Sequence, residues 1–465
     1  MSALLLSALL ATAGAQAQPR TVEGPGGTAR DRIMAVVQAL ESGDAGQFES
    51  AAQAHFTPEA LAWRTAADRR QLVERLRSDF GRIKVGAVER TPDNRVRLAL
   101  TGSTDLRGTL ELVLDPTAGD RIARLGIQVG GPPDEEQGAP PPVAAHMDPG
   151  ALAAALDGYL DPKVASNTFA GVVLIARNGS PVYGRAFGLA DREAGAANTT
   201  ATRFNLGSIN KIFTKTAVAQ LIAQGKLALT DTLGTLLPDH PQALSKTATV
   251  AQLLEHQGGV ADFFGPDFDR AQKSQFQSNA DYYRFVSSLP PLFAPGARRQ
   301  YCNGCYIVLG AIVEKVSGER YEDYVSRHVF GKAGMRTAQA RRDGGAVGYT
   351  RRSPDGEGAL RPNTGMLGAA GSAAGGGFAT ADDLLAFDAA LRKGLLADAK
   401  QTAWLLDVPA VTPGRSDGHL GVAGGAPGIN AILESNAEWT VVVLANLDPP
   451  AAQQLGMAIH RQLTR

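Results

Sequence analysis

In the stretch Phe204-Asn205-Leu206-Gly207-Ser208-Ile209-Asn210-Lys211 a serine and a lysine stand three residues apart, directly ahead of a helical run from Ile212 to Gln224 that Gly225 ends. Ser208 is therefore expected at a helix start. Residues three apart on a helix project from one face, so the amine of Lys211 can reach the hydroxyl of Ser208. A serine hydroxyl is a weak nucleophile until a base takes its proton, and a lysine withdrawn from water can be that base because burial disfavours its charged form. A helix start adds backbone N–H groups and a positive dipole end where an oxyanion would form. These features suit acyl transfer. Ser-x-x-Lys alone also describes a capping serine beside a surface lysine, so the reading needs more residues.

They come about ninety positions later, in Phe293-Ala294-Pro295-Gly296-Ala297-Arg298-Arg299-Gln300-Tyr301-Cys302-Asn303-Gly304-Cys305-Tyr306-Ile307-Val308-Leu309-Gly310. A phenol held near cations can shuttle a proton between Ser208 and a leaving group, and the Asn303 amide can bond both Lys211 and a substrate carbonyl. With its Pro-Gly turn and the Tyr306 and Leu309-Gly310 that follow, the segment resembles the Tyr-x-Asn motif of class C beta-lactamases, penicillin-binding proteins of the D-alanyl-D-alanine peptidase type and related esterases. Leu253 to Val260 resembles that family's Leu-Leu-x-His-Thr-Ser-Gly turn, with Gln257-Gly258 replacing Thr-Ser and His256 read as a turn residue rather than a base. Ser372 to Thr380, ahead of Asp382-Asp383-Leu384, resembles its Ala-Gly-Gly loop. The resemblance covers most of Asp148 to Arg465. It implies a serine hydrolase with Ser208, Lys211 and Tyr301 as catalytic residues, Asn303 positioning the substrate, and no cofactor or metal.

The third family motif departs. Relatives carry Lys-Thr-Gly or His-x-Gly on the strand lining the cleft, and aligning Gly421-Val422-Ala423-Gly424-Gly425-Ala426-Pro427-Gly428 with it puts Val422 where the cation belongs. His419-Leu420-Gly421 satisfies His-x-Gly but is three residues out of step, so either an irregular strand brings His419 in or the cation is missing. A missing cation weakens capture of a substrate carboxylate, which turns expectation from penicillins and D-Ala-D-Ala peptides toward neutral esters or amides. Gly424 and Gly425 would still line the oxyanion site, the N–H of Gly425 joining that of Ser208. A catalytically idle binding or sensing protein built on the same cleft is the alternative.

Cys302 and Cys305, the chain's two cysteines, flank Asn303. Their spacing allows a disulfide that would stiffen the turn holding Tyr301 and Asn303; a redox Cys-x-x-Cys and two packed thiols are the other readings. Two thiols cannot alone complete a zinc site.

Several elements must position these residues. Pro149 to Leu160 reads as a helix, Gly171 to Arg177 and Val182 to Gly188 as strands joined by Asn178-Gly179-Ser180, and Ile429 to Glu434 and Thr440 to Asn446 as a second hairpin before a helix from Ala451 to Leu463. Strands from both ends can share one antiparallel sheet with the long middle segment folded against it, an α+β domain over 148–465. Residues 28–130 form a smaller α+β domain: helical spacing from Asp31 to Phe80, then strands at Lys84 to Glu89, Arg95 to Leu100, Gly108 to Leu114 and Ile122 to Val129, with a turn at Pro92-Asp93-Asn94. That order resembles the cone-shaped nuclear-transport-factor-2-like (NTF2-like) fold. A Pro/Gly-rich stretch, 131–147, reads as the linker.

The whole chain of 465 residues has 46 Lys plus Arg and 46 Asp plus Glu, so no global field draws it to nucleic acid or an anionic membrane. Hydrophobic content of 44% argues for globular domains. Residues 1–17, with an apolar run from Ala3 to Ala13 and the triplet Ala15-Gln16-Ala17, read as a signal peptide. The expectation is an exported, soluble hydrolase of small molecules or peptides, with a front domain that serves docking or dimerisation.

Overall fold

The computed structural model describes residues 29–90, 93–103, 107–129, 142–243, 245–352, 358–406 and 418–464. The segment expected to be a signal peptide, Pro92 and residues 131–141 of the expected linker lie outside these. The chain forms two compact units, the first from most of residues 29–128 and the second essentially from residue 129 on.

In the first unit four helices, α1 (Ala29–Ser42), α2 (Ala45–His55), α3 (Pro58–Trp63) and α4 (Ala66–Phe80), precede four strands, β1 (Ile83–Arg90), β2 (Arg95–Gly102), β3 (Arg107–Asp115) and β4 (Arg121–Val129). The strands form a meander in the order β1-β2-β3-β4. Alternation along β2 sends Val96, Leu98 and Leu100 inward, where they are buried along with Leu110 and Leu112 of β3 and Val36, Leu40 and Phe48 of the helices. The unit therefore has a core of its own.

The second unit is built on a five-stranded antiparallel sheet. Its strands are β5 (Gly171–Arg177), β6 (Ser180–Phe187), β7 (Leu420–Ala426), β8 (Ile429–Ser435) and β9 (Trp439–Ala445), in the order β7-β8-β9-β5-β6. The two hairpins expected at opposite ends of the sequence thus meet, with Val443 opposite Val173. The three central strands, β8, β9 and β5, are apolar on both sides because both faces are covered. Val172, Leu174, Leu433, Val442 and Leu444 face the large middle segment. Val173, Ile175, Ile432, Val441 and Val443 face α5 (Pro149–Ala165) and the C-terminal helix, which meet them with Leu152, Leu156 and Leu160, and with Leu455 and Ile459. At roughly 1.5–3 kcal/mol per buried aliphatic side chain, these two layers dominate the unit's stability. Asn178 and Gly179, at φ 51° and 76°, make the tight left-handed turn that joins β5 to β6.

The tail of the expected linker behaves differently from its composition. Val143 is buried in the sheet's outer layer and its N–H donates to Gln462 Oε1 at 2.9 Å, so the described residues from 142 on belong to the second unit. Val143, Ala145 and Met147 dock this stretch on the outer layer.

Two helices run through the middle segment, α6 (Asn210–Ala223) and α7 (Asn303–Ser317), each buried along nearly its whole length. A third, α8 (Ala381–Arg392), begins at Thr380 with a capping box completed by Asp383. The C-terminal helix is α9 (Ala451–Leu463).

Candidate active site

Ser208 lies in a single 3-10 turn, Gly207–Ile209, immediately before α6, and makes no capping bond. The helix starts two residues earlier than periodicity suggests, at Asn210. Gly207 is at φ 50°, and a Cβ there would come 3.1 Å from both Gly424 Cα and Gly425 N on β7. Left-handed backbone and a neighbouring strand at contact distance leave room only for glycine. Gly424 mirrors this: its missing Cβ would sit 2.0 Å from Leu206 O and 2.8 Å from Ser208 N. The nucleophile turn and the edge strand are thus in backbone contact, with the N–H groups of Ser208 and Gly425 beside the same opening.

Lys211, in the first turn of α6, is buried and directs Nζ at three oxygens: Ser208 Oγ at 3.0 Å, Asn303 Oδ1 at 2.7 Å and Ala374 O at 2.5 Å. Burial pushes its ammonium down to about 7, opposed by the nearby negative charge of Asp262. A neutral amine has two N–H bonds for the carbonyl oxygens of Asn303 and Ala374, which leaves its lone pair for the Ser208 hydroxyl. Ala374 belongs to the Ser372 to Thr380 loop, tied to the nucleophile segment by Phe204-Asn205 pairing with Phe378-Ala379 and by Leu206 N donating to Gly377 O.

From α7 come the other partners. Tyr301, two residues ahead of that helix and half-exposed, places its hydroxyl 2.7 Å from Ser208 Oγ. Its ring stacks on His256 at 4.8 Å, and Lys211 Nζ lies 4.9 Å from its centre. His256 stands at φ 61° and its Nδ1 accepts from the Cys302 N–H at 3.2 Å. Burial, with Lys211 and Arg299 adding repulsion, drives the imidazole down to about 4, so it stays neutral and acts as a prop for Tyr301. Cys302 caps α7 and is disulfide-bonded to Cys305 in its first turn.

Asn303 opens α7 and bonds both Lys211 and a carboxylate. Its Oδ1 accepts from Lys211, and its Nδ2 donates to both oxygens of Asp262 at 3.2 and 2.9 Å, which leaves at most one amide hydrogen for a substrate. Asp262 was missed from the sequence. It follows the Leu253 to Val260 turn without a motif of its own, and its position after that turn was the only signal available.

His419 is not brought to the site. Successive residues of β7 point to opposite faces: Gly424 faces Ser208 and Val422 packs on the middle segment, whereas Gly421 faces Glu434. His419 Nε2 lies 2.7 Å from Glu434 Oε2 on that second face, and β7 pairs with β8 without a register shift. A cleft of about 400 Å³ opens beside Ser208, lined by Asn303, Gly425 and the rings of Phe263, Phe264, Phe268 and Phe378. Of the two cations at its wall, Lys273 spends its ammonium on the carbonyls of Phe268, Asp269 and Ala271, and Arg342 is exposed.

Comparison with known proteins adds the following. A model of the Beta-lactamase family matches residues 156–464. The chain is 34% identical over 209 residues to Esterase EstB of Burkholderia gladioli, covering 42% of this chain and 53% of that protein. It is 29% identical over 296 residues to the putative penicillin-binding protein PbpX of Bacillus subtilis strain 168, covering 59% and 70%. The chain thus spans about half the length of the esterase. Among solved structures, a penicillin-binding protein from Bacillus halodurans superposes with TM-score 0.57 at 28% identity, covering 65% of this chain and 98% of that one. A class C beta-lactamase mutant does so with TM-score 0.56 at 21% identity, covering 69% and 99%, a likeness of fold.

Proposed function

The chain belongs to the beta-lactamase family, its second unit has that family's α+β fold, and from this premise we propose that it is a serine hydrolase acting on neutral esters or amides through an acyl-enzyme on Ser208. The observation that carries the reading is the buried Lys211 amine, held at about 7 and bonded to Ser208 Oγ, with the Tyr301 hydroxyl bonded to the same oxygen.

In this mechanism the neutral amine takes the Ser208 proton as Oγ attacks the carbonyl carbon. The tetrahedral oxyanion accepts from the N–H groups of Ser208 and Gly425. The Tyr301 hydroxyl passes a proton to the leaving oxygen or nitrogen, and the Lys211–Tyr301 pair then activates the water that cleaves the serine ester. Asn303 holds Lys211 in place, itself held by Asp262.

The substrate class follows from what faces the cleft. The motif alignment puts Val422 where relatives carry the cation that captures a carboxylate, and the aromatic wall favours an apolar acyl group, so short p-nitrophenyl esters should outpace nitrocefin and D-Ala-D-Ala peptides. Side-by-side hydrolysis of the three, with Ser208→Ala as control, tests this. Labelling of the wild type but not Ser208→Ala by a fluorophosphonate is the expected result. No labelling together with no turnover would favour the idle binding or sensing alternative.

Two further parts of the reading concern the cell. Export fits a disulfide beside the nucleophile, since such bonds persist in oxidising compartments. Among the described residues no helix is long and apolar enough to cross a membrane. The first unit, with the element order of an NTF2-like cone, serves docking or dimerisation.

A further inference from the structure

On the face of the catalytic sheet turned away from Ser208, three good metal ligands converge. His419, just ahead of β7, places Nε2 2.7 Å from Oε2 of Glu434 on β8, and Nδ1 of His460 on α9 lies 4.0 Å from the same oxygen. The imidazole rings are 5.5 Å apart at their centres, and one donor atom from each residue lies within 4.8 Å of the others. None of the three has a part in the hydrolysis described above.

A second observation concerns the strand between them. Gly421 pairs directly with Glu434. Glycine weakens a strand interior and often marks a place where something approaches the backbone closely. A Cβ on Gly421 would stand 2.9 Å from His419 Cε1 and 3.1 and 3.2 Å from the two Glu434 carboxylate oxygens. The strand is bare where the donors meet.

We propose that His419, Glu434 and His460 bind one divalent transition-metal ion of the zinc class. Two imidazole nitrogens and one carboxylate oxygen suit such ions, whereas magnesium and calcium take oxygen ligands. Three protein ligands leave the fourth position to water. With metal–ligand bonds of about 2.0–2.2 Å, tetrahedral donors stand roughly 3.3 Å apart, so closing the present spacing takes side-chain shifts of about an ångström. His419, with 34% of its side chain exposed, has room to make them. The ion would tie the start of the edge strand that carries Gly424 and Gly425 to β8 and α9. An ordinary His419–Glu434 ion pair accounts for the 2.7 Å contact, but not for the second imidazole or the bare strand.

The test is calorimetric titration of the full chain, free of any histidine tag and treated with EDTA, using zinc chloride and then magnesium chloride. One equivalent of zinc is expected, with no magnesium binding and a Tm that climbs with zinc concentration. His460→Gln and Glu434→Gln should each weaken zinc binding at least about tenfold. Gly421→Val keeps all three donors and fills the space between them, so it should also weaken zinc binding while ester hydrolysis, a check on folding, persists. Absence of saturable zinc binding to the wild type overturns the proposal, as does an unchanged isotherm in a His419→Gln/His460→Gln double variant or in Gly421→Val.

Discussion

With its amine held at about 7 by burial, Lys211 is half neutral at pH 7 and largely neutral above it. The neutral form carries the lone pair that Ser208 needs, so kcat/KM for a p-nitrophenyl ester should rise through about pH 7 and level off above. His256, pressed to about 4, has finished titrating well below that limb and leaves it to Lys211. Asp262 supplies the discriminating measurement. Its negative charge raises the Lys211 value, so removing the charge in Asp262→Asn should move the limb to lower pH, while the new amide oxygen can still accept from Asn303. Asp262→Ala removes that acceptor as well, lets Asn303 turn, and should cost roughly 10²-fold in kcat. A limb unmoved in Asp262→Asn would show that Lys211 does not set it. For Tyr301, removal of the hydroxyl in Tyr301→Phe should lower kcat by about 10²- to 10⁴-fold with little effect on the stacked ring, read by steady-state kinetics.

At the scale of elements, the site exists because two buried helices bring their first turns together and the turn ahead of one of them lies against an edge strand. Gly207 and Gly424 are where that meeting is tightest, and each would need a methyl group to occupy backbone already in contact. Gly207→Ala should therefore keep Lys211 buried but shift the Ser208 turn off β7, with acylation by a fluorophosphonate slowed about hundredfold. An alanine variant that labels at the wild-type rate would mean that the contact does not matter. Much of this arrangement was legible beforehand. The strands of the sheet and helix α9 stand out by their apolar runs, and Ser208, Lys211, Tyr301 and Asn303 stand out by spacing and motif. Less legible were residues whose partners are remote in sequence and carry no motif. Asp262 reveals its role only when folding sets it against Asn303, and Glu434 and His460 meet His419 only through strand pairing and the packing of α9. The two options left open for His419 are separated by the strand: a shift of register by an odd number of residues reverses the face, and β7 pairs with β8 without such a shift, leaving Val422 on the face of Gly424 and His419 beside Glu434.

For the whole molecule the question is what the first unit adds. Every residue assigned to the acyl-transfer site, from Ser208 to Gly425, comes from the second unit, whose sheet is covered on both faces by its own helices. The first unit likewise encloses its own apolar residues, with Val36, Phe48, Leu98 and Ile122 all buried. Units with separate cores can in principle fold alone. A chain beginning at residue 142, which retains Val143 in the outer layer, should therefore hydrolyse p-nitrophenyl esters with kcat/KM within about threefold of the full chain, a change well under the 1.4 kcal/mol that a tenfold loss represents. If the first unit dimerises, sedimentation of the full chain gives twice the chain mass and the shortened chain gives a single one. Equal association states in both would remove dimerisation and leave docking to another protein as its role. A shortened chain that unfolds cooperatively yet has lost hydrolysis would show that the first unit contributes to the cleft itself.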